Sequence, residues 1–169
     1  MTLIVETGAG IAGAEAYASV ATADAYFAAR THLTMYATWT ALTTAKKEGA
    51  LREAADYLDA EFGQQYRGTR AGRVQGRLWP RTDALDDEGY PLPDLPNELQ
   101  LANCELAGRA ASAPLANDLD RGGKVKRMKA GSVELEYTDG ATASTIYGIV
   151  NKMLAPILQQ SASTNWVWK

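Results

Sequence analysis

The sequence predicts a mainly α-helical fold: a small bundle of about four helices with a β-hairpin, a flexible N-terminal arm and a C-terminal tail. Three observations carry this. Apolar residues recur at helical spacing in "LTTAKKEGALREAADYLDAEF", "PNELQLANCELAGRAA" and "STIYGIVNKMLAPILQQ". One short stretch, "SVELEY", alternates apolar and acidic side chains, the period of a half-buried strand. The rest is punctuated by glycine and proline and lacks the strand–helix alternation of a parallel sheet.

Residues 2–6 are a short extended candidate, and glycines and alanines follow to about residue 17, so residues 1–18 read as an arm. In "SVATADAYFAA", Ser19 or Thr22 caps a short helix over residues 23–30, and Asp24 lies in its first turn, where the helix dipole favours an acid. The clearest helix is capped by Thr43 or Thr44. Ala50, Leu51, Ala54, Leu58 and Phe62 form its buried stripe, and Lys47, Arg52, Glu53, Asp56 and Asp59 its solvated face. Gly63, Gly68, Gly72 and Gly76 then argue against a helix, and Pro80 forces Trp79 to be extended. An acidic, proline-rich loop, "TDALDDEGYPLPDLP", follows. Pro96 suits the first turn of the next helix, which buries Leu99, Ala102, Leu106 and Ala110 and stops before Pro114. In the hairpin, Val133, Leu135 and Tyr137 alternate with Glu134 and Glu136, and Gly131 supplies the turn. The last helix presents Ile146, Ile149, Val150, Met153, Leu154 and Ile157, with Pro156 a tolerable defect near its end. The tail, residues 161–169, is polar apart from Trp166, Val167 and Trp168.

The 169 residues suffice for one domain with a real core, so residues 1–169 are expected to form a single domain. Hydrophobic residues at 46% and charged ones at 22% are ordinary for a soluble protein, and no apolar run approaches the roughly 20 residues of a membrane span. The start of the chain lacks the pattern of a signal peptide, so a cytoplasmic site of synthesis is expected. A net charge of −3 gives no global basic field toward nucleic acid. With Cys104 the sole cysteine and His32 the sole histidine, neither an internal disulfide nor a thiolate or multi-histidine metal site can form within one chain.

Gly8, Gly10 and Gly13 spell G-x-G-x-x-G after a short apolar run, the fingerprint of a dinucleotide-binding turn. That site also requires a helix directly after the turn, a second parallel strand and an acid about 20 positions on. Here the convincing helix starts late and "THLTMYATW" is polar, so no cofactor is expected and the glycines read as a small-residue arm able to lie on a neighbouring subunit. His32 lacks the nucleophile and orienting partner of a catalytic triad and reads as a surface residue. Cys104, mid-helix, reads as a packed, inert thiol. Asp83, Asp86, Asp87 and Glu88 lack the spacing of a calcium loop and read as solvated acids. No catalytic site and no bound metal are expected.

Two basic stretches remain. Arg121, Lys124, Lys126, Arg127 and Lys129 are answered by Asp120, Glu134, Glu136 and Asp139, so the hairpin pairs its own charges across strands. Arg67, Arg70, Arg73, Arg77 and Arg81 have no acid between residues 63 and 82, with Tyr66 and Trp79 among them. Arginines beside aromatics can hold phosphates and stack bases, or dock on an acidic protein surface. This loop is the best candidate binding element of the chain.

"LIVETG", "YASVATADAYF", "RLWPR", "LPNELQLANCELA", "LDRGGKVKRMKAGSVELEY" and "MLAPIL", in that order, resemble the small head–tail adaptor (connector) proteins of tailed phages and prophages, a group often labelled DnaT-like single-stranded-DNA-binding proteins. The resemblance implies a mostly helical virion protein of the phage neck, assembled in the host cytoplasm as a dodecameric ring. It implies a portal protein above, a tail-side stopper or tail completion protein below, and a channel through which DNA passes. On this reading Arg67, Arg70, Arg73, Arg77, Trp79 and Arg81 contact portal, neighbour or DNA, and Trp166, Val167 and Trp168 dock the tail into a partner's pocket. The alternative is a single-stranded-DNA-binding protein that uses the loop at residues 67–81.

Overall fold

Helix α4 (Asn97–Ala110) runs through the middle of the computed structural model, which describes residues 2–116, 127–130, 133–136 and 147–159. Helices α1 (Val20–Ala28), α2 (Thr34–Thr40), α3 (Thr44–Phe62) and α5 (Gly148–Leu154) pack around it, and α5 runs on into a 3₁₀ turn, Ala155–Ile157. Two small antiparallel strand pairs complete the described residues: β1 (Thr69–Arg70) with β2 (Arg81–Thr82), and β3 (Arg127–Ala130) with β4 (Val133–Glu136). The fold is therefore mainly helical with a small β element. Among the described residues no helix is long and apolar enough to cross a membrane.

The central place of α4 follows from its small residues. Leu99, Ala102 and Leu106 of the expected stripe are buried, but so are Asn103, Cys104, Glu105, Ala107 and Gly108, which belong to other faces. Phe27 of α1 lies where a side chain at Gly108 would begin: a Cβ there would come within 2.5 Å of its ring. Phe27 in turn packs on Tyr26 and on Trp39 of α2, with ring centroids 5.2 and 5.1 Å away. Two polar side chains are buried in α4, and both are satisfied. Asn103 Oδ1 accepts from the backbone N–H groups of Tyr17 and Ala18, each at 3.0 Å, and its Nδ2 donates to Leu51 O at 3.1 Å. Glu105 accepts from Tyr26 Oη at 2.9 Å and from Arg109 at 2.7 Å.

Ser19 caps α1 by accepting from Thr22 N, and Thr43 caps α3 by accepting from Lys46 N. The stripe of α3 is buried as expected, with Ala55 added to it. Its solvated face has two corrections: the Lys47 side chain is largely covered and paired with Asp24, and Asp59 is largely enclosed, as described below. Helix α2 lies where no element was expected. It is short, its cap Leu33 offers no side-chain bond, and its one wholly buried residue, Trp39, is fixed by donating from Nε1 to Asp24 Oδ1 at 2.7 Å. In α5, Val150 and Leu154 are buried, as is Ile157 beyond it, whereas Ile149 is exposed. Pro156, without a backbone donor, falls in the 3₁₀ turn. The hairpin register sets Arg127 opposite Glu136 and Lys129 opposite Glu134. Lys124, Lys126, Gly131, Tyr137, Ile146 and the tail with Trp166, Val167 and Trp168 lie outside the described residues.

The N-terminal segment is not an arm. Ala14 is buried, Ala16, Tyr17 and Ala18 are buried in the main core, Val5 pairs with Ala16 in a parallel bridge, and Glu15 N donates to Ile4 O at 2.7 Å. The glycine turn encloses a carboxylate from its own chain. Glu6 Oε1 accepts from the N–H groups of Thr7, Gly8 and Gly10 at 3.0, 2.9 and 2.9 Å, and Oε2 from Ile11 N at 2.9 Å. Gly8 and Gly10 turn their amides inward at φ values of 96° and 70°, which only glycine adopts freely. Successive N–H groups so arranged make an anion-binding nest. Here Glu6, 1% exposed, fills it.

Glu6→Gln puts an amide NH₂ against backbone donors. We expect a loss of at least about 2 kcal/mol, read as an earlier urea midpoint; an unchanged midpoint would show that the nest contributes nothing. Burial pushes the Cys104 thiol up to about 12, so at pH 8 it should react with a disulfide reagent only after denaturant is added. Immediate reaction of the native protein would contradict the packing of α4.

Candidate nucleic-acid interface

Between α3 and α4 the chain contributes Tyr66 and Trp79 to the core, and arginine–carbonyl bonds hold the backbone around them. Strands β1 and β2 pair Thr69 with Thr82 and Arg70 with Arg81, and residues 71–80 form the loop they close. The loop lies on the N-terminal segment. Gly76 N donates to Ile11 O at 3.0 Å, and a Cβ at Gly76 would overlap the backbone N and O of Ala14, so that position needs glycine for contact alone.

The five arginines, alike in sequence, divide in space. Arg81 donates from Nε to Arg67 O at 2.6 Å, from Nη2 to Gly68 O at 2.6 Å and from Nη1 to Leu78 O at 3.3 Å, with Tyr66 beneath it. Burial holds its guanidinium below the usual arginine value. Arg67 donates to Leu158 O at 2.9 Å and Leu85 O at 3.0 Å and pairs with Asp87. Arg77 donates to Ala14 O at 3.2 Å and pairs with Asp56 and Asp59 at 2.7 and 3.4 Å. These three hold the fold together. They are corrected from contact residues to internal clamps.

Trp79 is corrected with them. It is fully buried, edge-on to the equally buried Tyr66 at 5.8 Å between ring centroids, and its Nε1 donates to Pro93 O at 3.3 Å. Neither ring can stack on a base. Asp59 belongs to the same interior. It accepts from Tyr17 Oη at 2.5 Å, while Tyr17 Oη accepts from Leu78 N at 3.1 Å. Burial raises the Asp59 carboxyl above its usual value even though Tyr17 and Arg77 pull it down, and burial raises Tyr17 well above the phenol range.

Arg70 and Arg73 remain exposed. The loop that carries them is shaped from within by Gln75, 5% exposed. Its Oε1 accepts from Gly72 N at 2.7 Å, and its Nε2 donates to Arg77 O and Pro80 O at 2.9 and 3.0 Å. Arg70 Nη2 donates across the loop to Gln75 O at 2.9 Å. Val74, beside Gln75, points outward at 77% exposure. Gln75 could not be singled out from sequence: one amide among arginines and glycines carries no local mark of burial.

The other candidates separate from this loop. His32 is exposed and Cys104 buried. The acidic residues form a turn in which Asp86 Oδ1 accepts from Glu88 N and Tyr90 N at 2.9 and 2.8 Å, and Asp87 takes Arg67 of the same chain. The acidic turn and the arginine loop thus partly neutralise each other within one chain. Among the described residues no group of His, Cys, Asp or Glu could hold a metal.

No curated protein and no solved structure matches the chain. One family model does, over residues 1–168, and it describes a single-stranded-DNA-binding family rather than a connector. The head–tail adaptor assignment, with its virion, neck and ring vocabulary, is overturned by that match. By the extent of the match the chain belongs to the family described as "Putative DnaT-like ssDNA binding protein".

Proposed function

We propose that the protein binds single-stranded DNA through residues 70–75, with Arg70 and Arg73 taking backbone phosphates. The observation that carries this reading is the division among the five arginines. The fold consumes three and leaves two exposed on a loop held in one shape by Gln75. The family match supports the ligand class. A guanidinium suits a phosphate because its planar fork donates two parallel bonds, and a loop already ordered loses less entropy on binding than a flexible one. Since the whole chain carries a net charge of −3, attraction of a polyanion has to be local to such a site.

Two variants separate binding from folding. Replacing both Arg70 and Arg73 by Glu should leave the melting temperature nearly unchanged, weaken single-strand binding in fluorescence anisotropy, and reduce the slope of log affinity against log salt by about 1.4. Arg81→Ala should do the reverse, lowering stability by about 2 kcal/mol through the carbonyls it strands. Wild-type affinity and slope in the double Glu variant would overturn the reading.

A further inference from the structure

We infer that Val74 is the base-contacting residue of this loop and gives it a preference for single strands over duplex; this rests on the DNA-binding reading above. Phosphate contacts alone do not favour single strands, since the duplex carries the same phosphates at a higher charge density. Discrimination needs a group that meets the faces of unstacked bases, usually an aromatic ring. The aromatic residues flanking this loop are withdrawn: Tyr66 and Trp79 are both fully buried.

What the loop offers instead is an aliphatic tip. Val74 is 77% exposed, more than any other large hydrophobic side chain among the described residues. A lone exposed valine is unremarkable on a protein surface. This one is set by its neighbours. Gln75 turns inward and binds Gly72 N, Arg77 O and Pro80 O, Gly76 is fastened to Ile11 O, and Arg70 bonds across to Gln75 O. Val74 cannot fold back into the core without breaking these bonds. Arg73 adjoins it in the chain, so a phosphate held by Arg73 brings a base within reach of the valine. In a duplex the base faces are covered by stacking, and Val74 would meet only sugar and phosphate. In a single strand it can lie against a base or enter between two, as aliphatic wedges do in bent DNA.

An oligodeoxythymidine, an abasic strand of equal length and a duplex of that length, each fluorescein-labelled, test this by anisotropy. The wild type should bind the thymidine strand about fivefold more tightly than the abasic strand or the duplex. Val74→Ser should lose that preference while keeping its melting temperature, its affinity for the abasic strand and its salt slope. Val74→Ile should retain the preference. Equal wild-type affinity for thymidine and abasic strands, or a preference that survives Val74→Ser, would overturn the inference. If thymidine binding is strong but indifferent to the Arg70, Arg73 double Glu variant, the underlying DNA-binding reading fails. If that variant abolishes binding while Val74→Ser changes nothing, only the role of Val74 fails.

Discussion

The buried carboxylate of Glu6 sits in four backbone N–H groups supplied by the glycine turn that follows it, and the placement of the loop of residues 71–80 depends on that contact. A charge removed from water must be solvated by something else, and here the chain's own amides do so without a cation. Closing the turn brings Ile11 O to where Gly76 N meets it and Ala14 O to where Arg77 Nε meets it. The loop of residues 71–80 therefore rests on a platform that exists because the nest is filled. A phosphate-binding turn and this turn share their geometry of inward amides and positive φ. They differ in what occupies the space.

The arginines show how little spacing reveals of a side chain's role. Arg67, Arg77 and Arg81 serve as long-armed donors to backbone carbonyls: Arg81 to those just before the two-residue β1, Arg77 to Ala14 O of the N-terminal segment, and Arg67 to Leu85 O and Leu158 O. A guanidinium has five donors in a fixed fork and can satisfy several such oxygens at once, as Arg81 does. In a region with glycines at positions 68, 72 and 76, these bonds add to the packing of Tyr66 and Trp79. Arg70 lends one bond to the loop and keeps its exposure, and Arg73 is exposed beside it.

The interior of α4 illustrates a second economy. Asn103 joins three segments, the end of the N-terminal turn at Tyr17 and Ala18, α3 at Leu51, and α4 itself, with bonds that no apolar residue could make. Its place on a helix read as amphipathic gave no sign of this, since an asparagine off the apolar stripe is expected in water. It is buried because α4 has neighbours on every side.

By itself the sequence determined the local elements whose signals are carried within one turn or one strand: the apolar stripe of α3, the span of α4 ahead of Pro114, the alternation that gives β4, and a choice of two caps for each of α1 and α3, from which the structure takes Ser19 and Thr43. Those depend on periodicity and on neighbours a few positions away, and they are legible for that reason. Only the tertiary structure decided that Glu6 would fill the glycine turn, that Tyr66 and Trp79 would be interior, that three arginines would be clamps, and that α2 would form around the burial of Trp39. Except for Glu6, whose four amides lie within five residues of it, each of these is settled by a partner more distant in the chain, Asp24 for Trp39, Pro93 for Trp79 and Ala14 for Arg77. The same five arginines could have been five phosphate contacts. Which of them face solvent was fixed by where unpaired carbonyls happened to fall once the chain had folded.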